Sequence, residues 1–385
     1  MFRKITAVIQ KELLHIMRDK VMFSIIFIAP FFMTLVVSGV YIKHKVTEIP
    51  IVVFDQDKSD ISRMLIRAFE DSERLKIIKN IESYREMKEL LDEQKAYMAV
   101  VVPPNLKKNI KSGRAADVGI IMNGSNILIT NTIANASSQI IQTLSAGITM
   151  KVIEGYGVSP KKAYEAVTAL NFRTRTWYNP TNSYLFFMIL GLIGTIIQQT
   201  IFLGTALSII KERERGSWNM LIASGISWFE VMAGKFITYF IIFSFDIIML
   251  YYIGLNILSV PMKGSIVLVM ATLLIFTAAI VFLGMIFSMF CKSSTQGIQN
   301  AMIIAVPSFM LSGFTWPTMA MPDFIQKISY SLPLTYFLEA IKMETMMGAR
   351  YEYVSGDIKV LLVFMVAGGV AAAAAIKSKY KLEKF

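Results

Sequence analysis

KERERGSWNMLIASGISWFEVMAGK, residues 211–235, separates two long apolar runs with five consecutive charged residues and a short half-apolar segment holding two tryptophans. A chain that stops being apolar, gathers charge and resumes is passing from hydrocarbon to water and back. Upstream, TALSIIKERER carries an apolar helix out into water, and Gly216 suits the residue just past its end. Ser217 is placed to cap a new helix, WNMLIA, with Trp218, Leu221 and Ile222 on one side, which Ser224-Gly225 ends. SWFE, Ser227 to Glu230, fits a capping box, and the next apolar run starts at once. The expected product is a helix of about two turns, too short to persist alone, since isolated helices need roughly 12–15 residues. Something holds it: lipid, with the tryptophans anchoring an interfacial loop, or a partner protein that grips it as a lever.

Outward from this stretch, composition sets the class. Only 17% of the 385 residues are charged and 55% are hydrophobic, at a mean hydropathy of +0.54, whereas soluble domains carry about 25% charge. A bilayer core takes roughly 20 apolar residues per helix. Six stretches qualify, at about 21–42, 184–210, 231–255, 265–290, 298–315 and 359–376. The net charge of +12 then reads as basic cytoplasmic loops, not as a nucleic-acid surface. Five Lys and Arg lie in the first 20 residues, four in 211–235, Lys292 in 291–297 and four in the tail KSKYKLEKF, residues 377–385. The loop 256–264 holds Lys263 alone, and 316–357 holds three bases against five acids. Both termini are therefore expected in the cytoplasm, with Trp218 and Trp228 at the inner interface and Trp177, Tyr178, Tyr184 and Trp316 at the outer one. Gly368, Gly369 and the alanines after them suit close packing of the last span.

Within residues 1–20, Ile5, Val8, Ile9, Leu13, Ile16 and Met17 fall near one face, an amphipathic helix lying on the inner membrane surface. The apolar run after it is longer than the roughly 7–15 residues of a signal-peptide core, and its lead-in contains acids, so it reads as a retained span.

Residues 43–183 form the one soluble-looking stretch, expected outside the membrane. EIPIVVFD, LKIIKNI, AYMAVVVPPNL and DVGIIMN read as strands, with helices through IRAFEDSE and IESYREMKELLDEQ and with Ser59 or Asp60 as a cap. A long helix is expected from Ser125 to about Gly155 and a short one from Pro160 to Leu170. Strands alternating with helices give a small α/β layer. The fold class expected is thus an α-helical membrane protein of six transmembrane helices, with an extracytoplasmic α/β domain inserted between spans one and two.

Chemistry is sparse. Asp55, Asp57 and Asp60 lack the glycine and distal glutamate of a calcium loop and read as caps and turn residues. Two histidines and one cysteine, Cys291, argue against a metal site and exclude an internal disulfide. No G-x-S-x-G, H-E-x-x-H or paired-cysteine motif offers a catalytic constellation, and no G-x-x-x-x-G-K-[ST] loop cradles a nucleotide. The chain is read as a non-enzyme with no cofactor of its own.

Four stretches carry a family resemblance, in order: PIVVFDQDKSDISRMLIRAF, YMAVVVPPNLKKNIKSG, KERERGSWNMLIASGISWFEVMAGK and SGFTWPTMAMPDFIQKISYSLPLTYFLEAI. Together they resemble a permease subunit of the ATP-binding-cassette transporters, in the type-2 exporter family with a large external domain between spans one and two. The last two stretches are specific and the external ones more generic; Ser217-Trp218 stands where a Thr-Leu or similar pair is commoner. The resemblance implies two permease copies, identical or related, around a central pathway, with separate nucleotide-binding subunits that hold ATP and Mg. It implies that residues 217–223 sit in a groove of that subunit as a coupling helix. Gly216, Trp218, Leu221 and Ile222 would form the contact, Glu212, Arg213, Glu214 and Arg215 ion pairs around it, and the N-terminal helix a second contact. One set of six spans without an internal repeat fits a half-transporter that dimerises.

Other residues stand out singly. Asp246 falls mid-span, where a charge costs about 2.5–3.5 kcal/mol on insertion scales. It reads either as a pathway contact or as a packing residue against Gln198, Gln199 or Asn300. Gln296, Gln299 and Asn300 line up at helical spacing, toward a pathway or as caps and packing groups. In the outer segment 316–335, Pro317 and Pro322 interrupt any simple span. The resemblance implies a re-entrant exit gate there, with Phe314, Trp316, Pro317, Met321 and Pro322 as candidates; an external loop explains the same residues.

The reading is an exporter permease of a bacterial plasma membrane, moving a hydrophobic or amphipathic drug, lipid or small peptide. Its rivals are a receptor with an external ligand-binding domain, a polysaccharide or lipid-glycan export permease, and an ion-driven transporter. The last would show inverted repeats and more intramembrane acids.

Overall fold

The computed structural model describes residues 1–41, 46–167, 177–178 and 183–382. The chain divides into two compact units, Lys45–Arg175, and Met1–His44 with Thr176–Phe385.

The first unit is built on strands β1 (Ile49–Asp55), β2 (Leu75–Asn80), β3 (Met98–Val102) and β4 (Gly119–Met122), in the order β2-β1-β3-β4. β1 runs parallel to β2 and β3, and β4 closes the edge antiparallel to β3. The inner strands β1 and β3 are rich in β-branched residues because both their faces are covered, whereas the edge strand β2 is largely exposed. Ile51, Val53, Val100 and Val102 pack toward Leu65, Phe69, Ile133 and Ala136. Those four belong to α4 (Asp60–Glu70) and α7 (Ile127–Gly155). Val52, Phe54, Ala99 and Val101 point the other way, onto Met87 and Leu91 of α5 (Tyr84–Asp92). Ser59 is the α4 cap, accepting from the Ser62 N–H at 3.1 Å. Asp55 accepts from Ser62 Oγ at 2.7 Å and from the Asp57 and Lys58 N–H groups, and Asp60 pairs with Lys107 at 2.7 Å. These three acids therefore shape a turn. A short helix, α6 (Leu106–Lys111), follows the two prolines where no helix is expected from the sequence, and α8 spans Pro160–Val167; residues 168–170 of the expected helix lie outside the described set.

The second unit is helical: α1 (Phe2–Arg18), α2 (Lys20–Phe23), α3 (Ala29–Tyr41), α9 (Tyr184–Glu214), α10 (Ser217–Ala223), α11 (Trp228–Asn256), α12 (Ile266–Phe290), α13 (Ser294–Leu311), α14 (Asp323–Ser329), α15 (Pro333–Lys342) and α16 (Tyr351–Leu382). A π-helical turn, Ser24–Ile28, joins α2 to α3 just ahead of Pro30, which has no N–H to continue the ladder. Five helical stretches among the described residues are long and apolar enough to cross a membrane: Lys20–Val40, Leu185–Glu214, Trp228–Asn256, Ile266–Phe290 and Tyr351–Lys381. The stretch expected at 298–315 is α13, which is not among them: its opening STQGIQN is polar, and Pro307 removes a ladder bond. The glycines expected to pack closely do so, since a Cβ on either Gly368 or Gly369 would come within 3.3 Å of Phe282 on α12.

The N-terminal helix departs from expectation in its rotation. Val8, Glu12 and Ile16 are its buried residues, while Leu13 and Met17 are exposed. A carboxylate, not a sixth apolar side chain, occupies the middle of the packed face.

Candidate functional site

The charged stop at residues 211–235 is where α9, α10 and α11 meet. α9 runs on to Glu214, and the chain reverses through Gly216 at φ +71°, with Gly225 at the same angle closing α10. Both positions lie in the left-handed region that favours glycine. Ser217 does not cap α10: Gly216 holds that position, and Ser217 Oγ donates back to the Glu212 carbonyl at 3.2 Å. The capping box of α11 forms as expected, with the Ser227 N–H donating to Glu230 at 2.8 Å and the Glu230 N–H donating to Ser227 Oγ at 3.3 Å.

Trp218 and Ile222 are buried in the helical core and Leu221 is half-buried. The apolar side of α10 therefore faces this chain. Outward it presents Asn219, Met220 and Ala223, with Met220 73% exposed. The turn behind α10 is held by helices from both ends of the chain. Lys4 Nζ of α1 donates to the Gly225 carbonyl at 2.8 Å, and the Tyr380 hydroxyl of α16 donates to the Ile226 carbonyl. Lys377 also lies 5.7 Å from the centre of the Trp228 ring.

The ion pairs expected around a partner contact are made inside the chain. Glu212 is 1% exposed and pairs with Lys11 and, at 3.0 Å, with Lys235. Lys235 is wholly buried and also donates to Glu12 at 2.7 Å, while the Tyr239 hydroxyl donates to the other Glu12 oxygen at 3.1 Å. Burial pushes the Glu12 carboxyl up, but Lys235 and Lys11 outweigh it and hold Glu12 below the usual range. Burial and the Lys235 charge bring Lys11 down to about 8. Arg213 donates to the Ser288 and Cys291 carbonyls at the end of α12, at 3.4 and 3.2 Å. Glu214 accepts from the Ser294 N–H at 2.7 Å and from Ser294 Oγ, at the start of α13. Arg215 and Lys211 both reach Asp19, at 2.8 and 2.9 Å, and Asp19 also accepts from the Val21 and Met22 N–H groups. Burial raises the Asp19 carboxyl, and these donors more than reverse it, leaving it well below its ordinary value. For Arg213 and Glu214, which meet backbone groups, the physical reason is shared. Helices that end together leave unbonded N–H and C=O groups together, and a run of alternating charge answers both kinds.

Sequence reasoning missed Glu12, Asp19, Lys11 and Lys235 as members of this clasp. One signal was present: Glu12 lies four residues from both Val8 and Ile16, on the stripe that packs.

The remaining candidates separate. Asp246 is buried in α11, and neither carboxylate oxygen finds a hydrogen-bond partner among the described residues. Gln296 turns to its own cap, accepting from the Lys292 N–H at 2.9 Å, and Gln299 is exposed. Asn300 lies beside Cys291, whose thiol is pushed up by burial. In the outer segment, Phe314 is buried, stacked on Phe187 with ring centres 5.2 Å apart and seated where a Gly191 Cβ would clash at 2.3 Å. Met321 is buried too, whereas Trp316, Pro317 and Pro322 are exposed. Among the described residues, no group of three or more His, Cys, Asp or Glu could hold a metal ion.

A family model described as ABC-2 family transporter protein matches residues 20–374. Among curated relatives, a probable multidrug ABC transporter permease, YbhR of Escherichia coli, is 25% identical across 98% of this chain and 100% of its own. The inner membrane transport permease YhhJ of E. coli is 26% identical over 93% of this chain and 92% of its own. The linearmycin resistance permease protein LnrN of Bacillus subtilis is 22% identical over 98% of this chain and 100% of its own.

Proposed function

The chain belongs to the ABC-2 family of transporter proteins, and from that premise we propose that it is the permease subunit of an ABC exporter in a bacterial plasma membrane. In this reading α10 is the coupling helix, docked on a separate ATPase that binds ATP and Mg. Both termini lie in the cytoplasm, α13 completes a set of six spans, and residues 43–183 stand outside. Two copies, identical or related, enclose the pathway, with Asp246 beside it and the Phe314–Pro322 segment as the outer gate. The cargo is a hydrophobic or amphipathic molecule, by analogy with relatives named for multidrug transport and linearmycin resistance.

The observation that carries this reading is the two-sided character of α10. Its tryptophan side is fixed in the core, and its outer side leaves Met220 uncovered, so a push on Met220 would pass through the helix to α9, on which it packs. Met220→Asp in the full chain is therefore expected to leave insertion and thermal stability unchanged while abolishing co-purification of the ATPase. An undiminished complex overturns the docking role. Trp218→Asp is the wrong probe, because it buries a charge in the core.

A second reading, a receptor whose α/β unit takes an apolar ligand, is favoured by one feature. A groove of about 580 Å³ lies among α4, α6, the 113–118 segment and α7, lined by Leu65, Leu106, Ile110, Ile141, Leu144 and Ile148. Ligand binding there with no ATPase partner would support this reading over the exporter.

A further inference from the structure

Beside α1 the surface opens into a second cavity, of about 710 Å³, between the last turns of α1, the first turn of α2 and the start of α10. Four bases line it, Lys11, Arg18, Lys20 and Arg215, against a single acid, Asp19. That acid is already engaged by Lys211, Arg215 and two backbone N–H groups. Lys11 and Arg215 are tied into the clasp, but Arg18 and Lys20 are exposed and make no ion pair among the described residues. The His15 ring lines the same cavity, and its buried Nε2 has no hydrogen-bond partner among them either. The cavity therefore offers an excess of positive charge with donors left over.

Its rim is of the opposite character. Leu14 and Val21 line the cavity and are 54% and 51% exposed, and Met17 beside them is 65% exposed. Val21 is the second residue of a stretch apolar enough to cross a membrane. A site for a soluble anion has no use for uncovered aliphatic side chains next to its bases. A molecule with a phosphate at one end and hydrocarbon at the other satisfies both, and basic pockets at the ends of spans are where such headgroups are held.

We infer that this cavity binds the headgroup of an anionic phospholipid, with Arg18 and Lys20 meeting the phosphate and Leu14 and Val21 meeting the first carbons of the acyl chains. The bound lipid seats α1 at the membrane surface. Because Lys4 and Glu12 of α1 hold the Gly225 turn and Lys235, it steadies the support of α10 as well.

The test is native mass spectrometry of the full chain, released from detergent with phosphatidylglycerol or phosphatidylcholine added. Phosphatidylglycerol is expected to be retained and phosphatidylcholine lost. Arg18→Gln with Lys20→Gln lowers phosphatidylglycerol retention by roughly fivefold for each base removed. The charge-conserving pair Arg18→Lys with Lys20→Arg keeps it. Both side chains are exposed, so an unchanged gel-filtration profile is expected to accompany the loss. Equal retention of the two lipids, or full retention by the Gln pair, overturns the inference. So does displacement of the lipid by millimolar inorganic phosphate, which marks a soluble-anion site. Loss of a co-purifying acidic protein with lipid retention intact overturns it too. None of these readouts involves transport or ATP hydrolysis, so the result stands apart from the fate of the exporter reading.

Discussion

Two sets of buried charge differ in how they are answered. At the α1–α9–α11 junction, Glu12, Lys235, Glu212 and Lys11 are two acids and two bases that meet one another, with Tyr239 closing the set. Elsewhere in the helical unit, Asp246 has no hydrogen-bond partner among the described residues. Glu344, wholly buried in the π-helical turn Met343–Met347, accepts among the described residues only from Thr272 Oγ1, at 2.7 Å, through one of its two oxygens. A matched set fixes one arrangement of its helices, with each charge meeting an opposite one. An unmatched carboxylate is expensive to bury, and it marks a place where the fold is not arranged for stability alone.

The largest expected effect lies in the matched set. Lys235→Met leaves Glu12 and Glu212 buried together with only Lys11 between them, and breaking a buried pair in this way costs about 3–5 kcal/mol. Thermal unfolding in detergent measures it, and protease cleavage within α1 should rise in parallel as the helix loses its anchor. If this variant is no less stable than wild type, the two sets do not differ in kind.

Next in size is a pH effect of opposite sign in the two sets. Burial pushes Glu344 up to about 7 from 4.5, with the Thr272 hydrogen bond pulling the other way. The unfolded chain therefore loses this proton first as pH rises. Stability falls between about pH 4.5 and 7, by about 3 kcal/mol in all. Glu12 and Asp19 are depressed instead, so their contribution is complete above the ordinary carboxylate range and fades only as pH drops below it. Glu344→Gln should flatten the thermal midpoint across pH 5–8 (roughly the carboxylate-to-neutral window) and leave the loss at low pH untouched. A persistent slope would assign it to another group.

These residues also show how far the sequence could be read. The membrane class, the strands of the α/β unit, the Ser59 cap, the Ser227–Glu230 capping box and the turn at Gly216 were all legible, because each rests on spacing within a few residues. The direction of the α10 side chains was not. Trp218, Leu221 and Ile222 were grouped correctly on one side, but periodicity says that a face is apolar, not whether its own chain or another covers it. Arg213, Glu214 and Arg215 read as surface charge because the carbonyls, N–H group and carboxylate that answer them lie some 75–196 residues away in sequence. The same distance hid Glu12, whose partner Lys235 lies 223 residues on.

The smallest expected effect on stability tests the comparison most sharply. Asp246→Asn keeps the shape of a side chain that has no partner and removes its charge, so the thermal midpoint should hold or rise, by roughly 1 kcal/mol or less. A fall of about 2 kcal/mol or more, the size expected when a charged hydrogen bond is broken, would mean that Asp246 is answered after all and belongs with the clasp. If stability holds, transport decides what the carboxylate is for. Loss of ATP-dependent dye export from vesicles by a protein as stable as wild type would put the charge in the pathway. Unchanged export would leave Asp246 a tolerated packing residue, and the contrast between matched and unmatched charge would then rest on Glu344 alone.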